Sequence, residues 1–179
     1  MAIEFQIKES ELIKGVFIIK PNKFKDLRGE IWTAFTSKDI DKLLPSGIRF
    51  IHDKFISSKH NVLRGTHGDE KTYKLATCLS GEVQQVVVDC RKQSPSYLKW
   101  QSFIINADNQ LLILVPAGCG NAHLVRSKQA IYYYKCAYEG AYNDADEQFT
   151  LAYDDKRVGV KWEFEGELVL SSRDLEVRS

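Results

Sequence analysis

No stretch of this chain approaches the roughly 20 consecutive apolar residues that cross a bilayer. Its opening residues, Met1-Ala2-Ile3-Glu4-Phe5, carry an acid where a secretory leader needs a basic start. Charge of one sign is missing as well. The 25 Lys and Arg are offset by 24 Asp and Glu, a formal net charge of +1, and the bases are scattered among the acids. Without a one-signed field, neither nucleic acid nor a membrane surface is an expected partner. Cysteine is scarce: Cys78, Cys90, Cys119 and Cys136 form no Cys-x-x-Cys pair and no zinc-like spacing. Three of them sit in or beside apolar runs, where a thiol behaves as a small core residue, and no disulfide is expected. These absences point to the cytoplasm. The four histidines, His52, His60, His67 and His123, include no His-x-His pair followed closely by a Glu ligand. No metal is therefore expected, and no other cofactor. A Gly-rich phosphate loop and a Gly-x-Ser-x-Gly elbow are also missing.

What the chain does have is a succession of short β-rich runs. They cover Gly15–Lys20, Glu30–Phe35, Ile48–Ile56, Tyr73–Leu79, Val83–Cys90, Trp100–Ile105, Gln110–Val115, Ala130–Cys136 and Phe149–Ala152. Turn residues punctuate them at Ser80-Gly81, Ser94-Pro95, Ala107-Asp108-Asn109 and Pro116-Ala117-Gly118. Only Ser37–Leu44 reads as a helix, with Ser37 as its N-cap and Pro45 beyond its end. No repeat, linker or low-complexity tract divides the 179 residues, a length that suits one domain and is short for two. The expectation is a single all-β domain over 1–179, a sandwich or barrel of the jelly-roll kind.

The candidate chemistry gathers around Asn61-Val62-Leu63-Arg64-Gly65-Thr66-His67, followed seven residues later by Lys74. Strand alternation places Arg64 and Thr66 on one side and His67 on the other, with Leu63 and Gly65. An imidazole is the side chain best suited to proton transfer near neutral pH, which makes His67 a candidate general base; it reads as well as a structural, hydrogen-bonded imidazole. In Ile131-Tyr132-Tyr133-Tyr134-Lys135-Cys136, alternation puts Tyr132, Tyr134 and Cys136 on one face and Tyr133 and Lys135 on the other. A phenol facing a pocket can donate a proton, whereas an aromatic on a β face often only packs. Lys74 interrupts an apolar run: it either faces outward into solvent or, placed inward, needs a negative partner or a developing oxyanion. Asp174 is either the carboxylate that orients a histidine or a surface acid in a tail.

Taken in order along the chain, these pieces resemble the dTDP-4-dehydrorhamnose 3,5-epimerases and related nucleotide-sugar epimerases. The resemblance runs from Gly15-Val16-Phe17 and Asp26-Leu27-Arg28-Gly29 through Leu63-Arg64-Gly65-Thr66-His67, Lys74-Leu75 and Ser80-Gly81-Glu82-Val83. It continues with Val88-Asp89-Cys90-Arg91, Ser94-Pro95-Ser96, Pro116-Ala117-Gly118, Tyr134-Lys135-Cys136, Gly159-Val160-Lys161-Trp162 and Ser171-Ser172-Arg173-Asp174. It implies a homodimeric, metal-independent, cupin-like jelly roll with a few short helices, acting on a nucleoside-diphosphate 4-keto sugar. His67 takes the place of the base, Asp174 of its carboxylate partner and Tyr134 of the acid on the opposite face of the sugar. Lys74 falls where the enolate oxygen is stabilised, and Arg64 where the diphosphate is gripped. Arg28, Thr33, His52, Lys54, Ser57 and Asn121 fall among the substrate contacts.

Several of those contacts depart from the family pattern. His52 and Lys54 stand for a Gln and an Asn, Asn121 for a histidine and Thr33 for a Glu; Gly140 replaces a second tyrosine, and Gly68-Asp69 follows His67. An intact proton-transfer set with altered contacts suggests the same reaction on another substrate. The variants are similar to those of GDP-4-keto-heptose epimerases, so a GDP-linked sugar is expected, inverted at carbon 3, carbon 5 or both. The alternatives are a nucleotide-sugar 3,4-ketoisomerase and a non-catalytic sugar-nucleotide-binding cupin.

Overall fold

The computed structural model describes residues 2–177. Strands β1 Phe5–Glu9 and β2 Phe17–Pro21 precede a hairpin of β3 Lys23–Asp26 and β4 Gly29–Trp32. After the short helix α1 Ser37–Ile40 come β5 Arg49–Lys59, β6 Leu63–Gly68, β7 Tyr73–Ser80 and β8 Glu82–Asp89. Then follow β9 Trp100–Asn106, β10 Leu112–Val115, β11 Cys119–Val125, β12 Gln129–Tyr138, β13 Phe149–Thr150 and helix α2 Ser172–Glu176. Two antiparallel sheets result, one ordered β1-β2-β10-β7-β12-β5 and the other β13-β6-β11-β8-β9. The crossovers between them make the jelly roll that the spacing of turns and strands predicts, of the cupin-like form that the resemblance implies.

Between the sheets lies an apolar core of Ala76 and Cys78 from β7, Val83 and Val87 from β8, Phe103 and Ile105 from β9, and Ile113 and Val115 from β10. A second cluster, with Ile19, Leu75, Leu112 and Leu114, covers the other face of the six-stranded sheet beneath Ile40 and Leu44. Burial on both faces explains why β10 is apolar at every position instead of alternating. All four thiols are free. Burial raises Cys78, Cys90 and Cys136 to about 11 and Cys119 to about 12, as expected of core residues.

Helix Ser37–Leu44 shrinks to α1 followed by a 3₁₀ turn over Asp41–Leu43. Its cap is Thr36 rather than Ser37, because the Thr36 hydroxyl accepts from Asp39 N. Strands β1, β3 and β11 and helix α2 go beyond the sequence reading. β11 is hidden because close packing requires it to be built from small residues. A Cβ at Gly120 would lie 2.3 Å from Thr66 Cγ2, and one at Gly65 2.7 Å from the Ala122 Cα.

Two features of the fold position chemistry. First, β6 carries a bulge: Leu63 and Arg64 pair with Leu124 and His123, but Asn121 then pairs with His67. Gly65 and Thr66 together oppose Ala122, and Gly65 takes φ +117, a conformation that suits glycine. The extra residue resets the alternation, so Arg64 and His67 share the inward face and do not oppose each other as strict alternation predicts. Second, the segment after β13 lies along the outside of the five-stranded sheet. Gln84 of β8 holds it by bonds to Lys161 O and Glu163 N. It then meets β6 through Leu63 N to Val169 O and the parallel bridge Val62–Val169. That path delivers α2, and with it Asp174, to His67.

Candidate active site

The inward face of the jelly roll changes character along its strands. Past the apolar core, a cavity of about 300 Å³ opens, lined among others by Lys54, Arg64, His67, Lys74, Asn121 and Tyr134. His67 and Arg64 come from β6 of one sheet; Lys74 and Tyr134 come from β7 and β12 of the other. The imidazole and the phenol therefore approach the same space from opposite walls. Tyr132, Tyr134 and Cys136 do share the inward face, while Tyr133 and Lys135 point out and meet Asp53.

His67 Nε2 lies 2.9 Å from Asp174 Oδ1, and the other carboxylate oxygen accepts from Ser171 Oγ at 2.7 Å. Asp174 is 3% exposed. Burial alone would raise its pKa, but the His67 and Ser171 contacts outweigh that and hold the carboxyl below its ordinary value. On the other ring nitrogen, Nδ1, sits Thr150 Oγ1 at 3.2 Å. Tyr134 is pushed far above the usual phenol value, first by burial and then by Tyr142 and Cys136, with Arg64 opposing. The phenol therefore stays protonated and able to donate. Lys74, 6% exposed, lies 3.5 Å from the His67 carbonyl and 5.8 Å from the Tyr134 ring. Burial draws its pKa down, Cys136 and Asp69 resist, and the cations Lys54 and Arg173 add to the fall. A lowered ammonium pKa makes its proton easier to share with a developing oxyanion.

Around this centre the cations Lys54, Arg64, Lys74 and Arg173 face the carboxylates Asp144 and Asp174. The excess of positive charge suits an anionic ligand. Arg64 is tethered through Nε to Ser58 Oγ at 3.1 Å, which leaves the rest of its guanidinium fork for the ligand. Asn121 is fixed deeper in, accepting from Gln85 Nε2 at 2.7 Å.

Not every residue expected at the site lies on this cavity within one chain. Arg28 is at the tip of the β3–β4 hairpin, clasped to Asp26, and Thr33 follows β4. Ser57 lies on the outer face of β5, because the inward positions of that strand are His52, Lys54, Ile56 and Ser58. His52 stands behind the wall, bonded to Tyr138 Oη at 3.0 Å and packed on the Tyr142 ring. In return the structure adds Tyr142, Asp144, Gln148, Ser171, Arg173 and His123 to the lining. Tyr142 is instructive: two residues beyond the glycine that replaces the expected tyrosine, its phenol reaches the cavity mouth and meets Lys54 Nζ at 3.1 Å. Spacing alone gives no warning of this, because Tyr142 lies in a loop that leads into a 3₁₀ turn over Ala145–Glu147. His123 is wholly buried, stacked on Tyr132 and lowered to about 3 by that burial, so it is neutral at ordinary pH. Among the described residues, no three His, Cys, Asp or Glu side chains converge as a metal site.

A hydrogen-bonded imidazole faces a buried phenol across one cavity, with an ammonium near both, an arrangement able to move protons on an anionic ligand. Known proteins narrow that class. The family model for dTDP-4-dehydrorhamnose 3,5-epimerase matches residues 10–179, and the chain belongs to that family. A dTDP-4-dehydrorhamnose 3,5-epimerase of Salmonella typhimurium is 30% identical over 165 residues, covering 90% of this chain and 88% of the relative. The crystal structure of dTDP-6-deoxy-D-glucose-3,5-epimerase from Legionella pneumophila, in complex with dTDP-4-keto-L-rhamnose, matches with a TM-score of 0.89 at 30% identity. That match covers 97% of this chain and 91% of the other. A 3'-monoepimerase from Streptomyces bikiniensis, in complex with dTDP-quinovose, matches with a TM-score of 0.85 at 25% identity over 94% of this chain and 85% of that one. The guanine nucleotide expected from the altered contacts finds no support among them. They are named for, or bound to, dTDP sugars.

Proposed function

We propose that this chain, acting as one catalytic domain, inverts carbons 3 and 5 of a dTDP-linked 4-keto-6-deoxy sugar through an enolate, without a metal. The observation that carries the reading is the placement of His67 and Tyr134 on facing sheets of one cavity. A carbonyl at carbon 4 acidifies its neighbours, because the electrons left by proton removal move onto the carbonyl oxygen. His67 takes the proton from one face, Lys74 steadies the enolate oxygen, and Tyr134 returns a proton to the other face. Base and acid assistance are each worth roughly 10² to 10⁴ in rate, and a positioned cation at the oxyanion about as much again. Arg64, with Lys54 and Arg173, supplies charge for the diphosphate, and Asn121 a neutral contact deeper in.

The test is isotope uptake. In deuterated water, the dTDP 4-keto sugar is expected to gain mass at carbons 3 and 5. Uptake at carbon 3 alone would make the protein a monoepimerase, and uptake only with the GDP-linked sugar would overturn the nucleotide assignment. His67→Asn should abolish exchange while nucleotide affinity changes little.

The functional unit we infer is a homodimer. Ile51 and Phe55 of β5 are 57% and 66% exposed on the outer face, beside Ile131 of β12, and β5 is an edge strand. An apolar, unpaired edge of this length suits a second copy of the chain. Phe55→Asp is expected to shift the species in solution towards monomer, and an unchanged mass distribution would remove this face from consideration.

A further inference from the structure

The turn that joins β6 to β7 holds a buried acid that no step of the proposed reaction uses. Asp69 follows Gly68 at the end of β6 and stands a few residues ahead of Lys74. Its Oδ1 accepts from Lys71 N at 2.9 Å and from Thr72 N at 2.7 Å, and its carbonyl accepts from Gly118 N at 2.7 Å. Those bonds fix the carboxyl in place. Oδ2 is different: it is buried and has no hydrogen-bond partner among the described residues. A buried carboxylate oxygen left in that state is costly unless a cation lies near it. Lys74 is such a cation. Its side chain folds back to the end of β6, where Nζ lies 3.5 Å from the carbonyl of His67, two residues before Asp69.

We propose that Asp69 is a positioning residue whose negative charge keeps Lys74 an ammonium, ready to steady the enolate oxygen. The surroundings of Lys74 make that support necessary. Burial lowers its pKa first of all, and Lys54 from β5 and Arg173 from α2 lower it further; Cys136 and Asp69 oppose the fall. On β12, Cys136 pairs with Lys74 in register, and the Tyr134 ring lies 5.8 Å from Nζ. Near neutral pH neither carries charge, because burial lifts the thiol to about 11 and the phenol far above its usual value. From β6, His67 offers its carbonyl. Of the two groups that oppose the fall, only Asp69 is then an anion. Its charge acts through the poorly screened interior without contact. An amine that had lost its proton could not hold a negative oxygen. If Asp69 only shaped the turn, Oδ1 would suffice and asparagine would serve as well.

The catalytic half of this role rests on Lys74 steadying the enolate of the proposed epimerisation; the charge on Lys74 does not, so it is read without substrate. In the intact protein labelled with carbon-13 at lysine Cε, Lys74→Met removes one resonance and thereby assigns it. Asp69→Asn keeps an oxygen for Lys71 N and Thr72 N and removes only the charge. The titration midpoint of Lys74 should fall by about one pH unit. If the asparagine variant does not fold, Asp69→Ser, whose hydroxyl can accept from the same turn, should give the same fall. With less negative charge nearby, Lys74 loses its proton at lower pH. In turnover of the dTDP 4-keto sugar, the alkaline limb of kcat should therefore move down in pH by the same amount. On that limb kcat drops about 10-fold, while rates on the acid side stay within about 2-fold. A midpoint that does not move in a folded variant reduces Asp69 to a turn former and overturns the proposal, whatever the enzyme turns over. A midpoint that falls while the kcat profile stays in place upholds the link between the two charges and strikes Lys74 from the reaction.

Discussion

Two of the buried carboxylates, Asp89 and Asp174, have opposite surroundings. Asp89, at the end of β8, is 0% exposed and saturated. One oxygen accepts from Arg91 N and Nε, the other from Arg91 Nη2, Ser94 Oγ and Ser96 Oγ. Asp174 is 3% exposed, but one oxygen meets only Ser171 Oγ and the other only His67. Burial pushes both carboxyls up, and hydrogen bonds bring both below their ordinary value, Asp89 by far the more. Saturation marks a pin: Asp89 ties the loop after β8 to the sheet. An oxygen with a single partner that can change protonation marks a working group. Burial does not distinguish the two acids; the kind and number of their partners do.

The sharpest way to break this comparison is Asp174→Asn. The neutral amide cannot balance the positive charge that His67 gains when it takes a proton, and it no longer holds the ring as the carboxylate does. We expect kcat to fall about 10³-fold, as for other bases whose orienting carboxylate is neutralised. The melting temperature should change by no more than a few degrees. Steady-state rates and a thermal scan on the same preparation decide it: a variant that melts early and turns over normally would make Asp174 a second pin.

The reverse is expected of Asp89→Ala. It strips the loop of its shared acceptor and leaves several donors, one of them charged, without a partner. The cost is about 3 kcal/mol, or roughly 10 °C in melting temperature. Turnover per folded molecule should hold to within about 2-fold, because no atom of Asp89 reaches the cavity. A folded variant with proportionate loss of turnover would merge the two regions into one network.

Acid sharpens the same contrast. A carboxyl whose folded pKa is depressed contributes stability that is complete above its unfolded value of 3.8 and drains away as pH falls below it towards the folded value. The native protein should therefore lose stability steeply below about pH 4. Asp89→Ala should flatten that part of the curve more than Asp174→Asn, since the larger depression belongs to Asp89. Denaturant titrations at a series of acidic pH values read this directly; equal flattening would contradict the unequal saturation of the two groups.

This difference could be read from the sequence only in part. The run Val88-Asp89-Cys90-Arg91 and the pair Ser94, Ser96 lie close together, so local side-chain bonds to one acid were within reach of the sequence. Asp174 is more than 100 residues from His67, and nothing local announces their meeting. It depends on the path of the segment after β13 and on the anchoring of Val169 to β6. Alternation grouped Tyr132, Tyr134 and Cys136 correctly because β12 is regular where it carries those residues, while for Lys74 it left the facing open. It failed at Arg64 and His67 because a bulge adds one residue; Ser57, expected from the resemblance, lies outside because the inward set on β5 is the even-numbered one. The jelly roll itself was legible from turn spacing, while Tyr142, Thr150 and Arg173 enter the site through tertiary contacts that no periodicity encodes.

The smallest effect is expected at Ser171, the residue that holds the far oxygen of Asp174. Its hydroxyl donates to Oδ2 at 2.7 Å and accepts from Asp174 N at 3.3 Å, so one side chain both caps α2 and fixes the carboxylate. Ser171→Ala removes an N-cap worth about 1 kcal/mol and frees the carboxylate to turn away from His67. Melting should fall by roughly 3 °C and kcat by a few-fold, with Ser171→Thr recovering both because threonine keeps the hydroxyl. The alanine variant should also show a weaker His67–Asp174 contact, read as a shift of the Nε2 resonance. A loss of stability as large as that of Asp89→Ala would show that this end of the chain is held through Ser171, and the line between pin and working group would have to be drawn elsewhere.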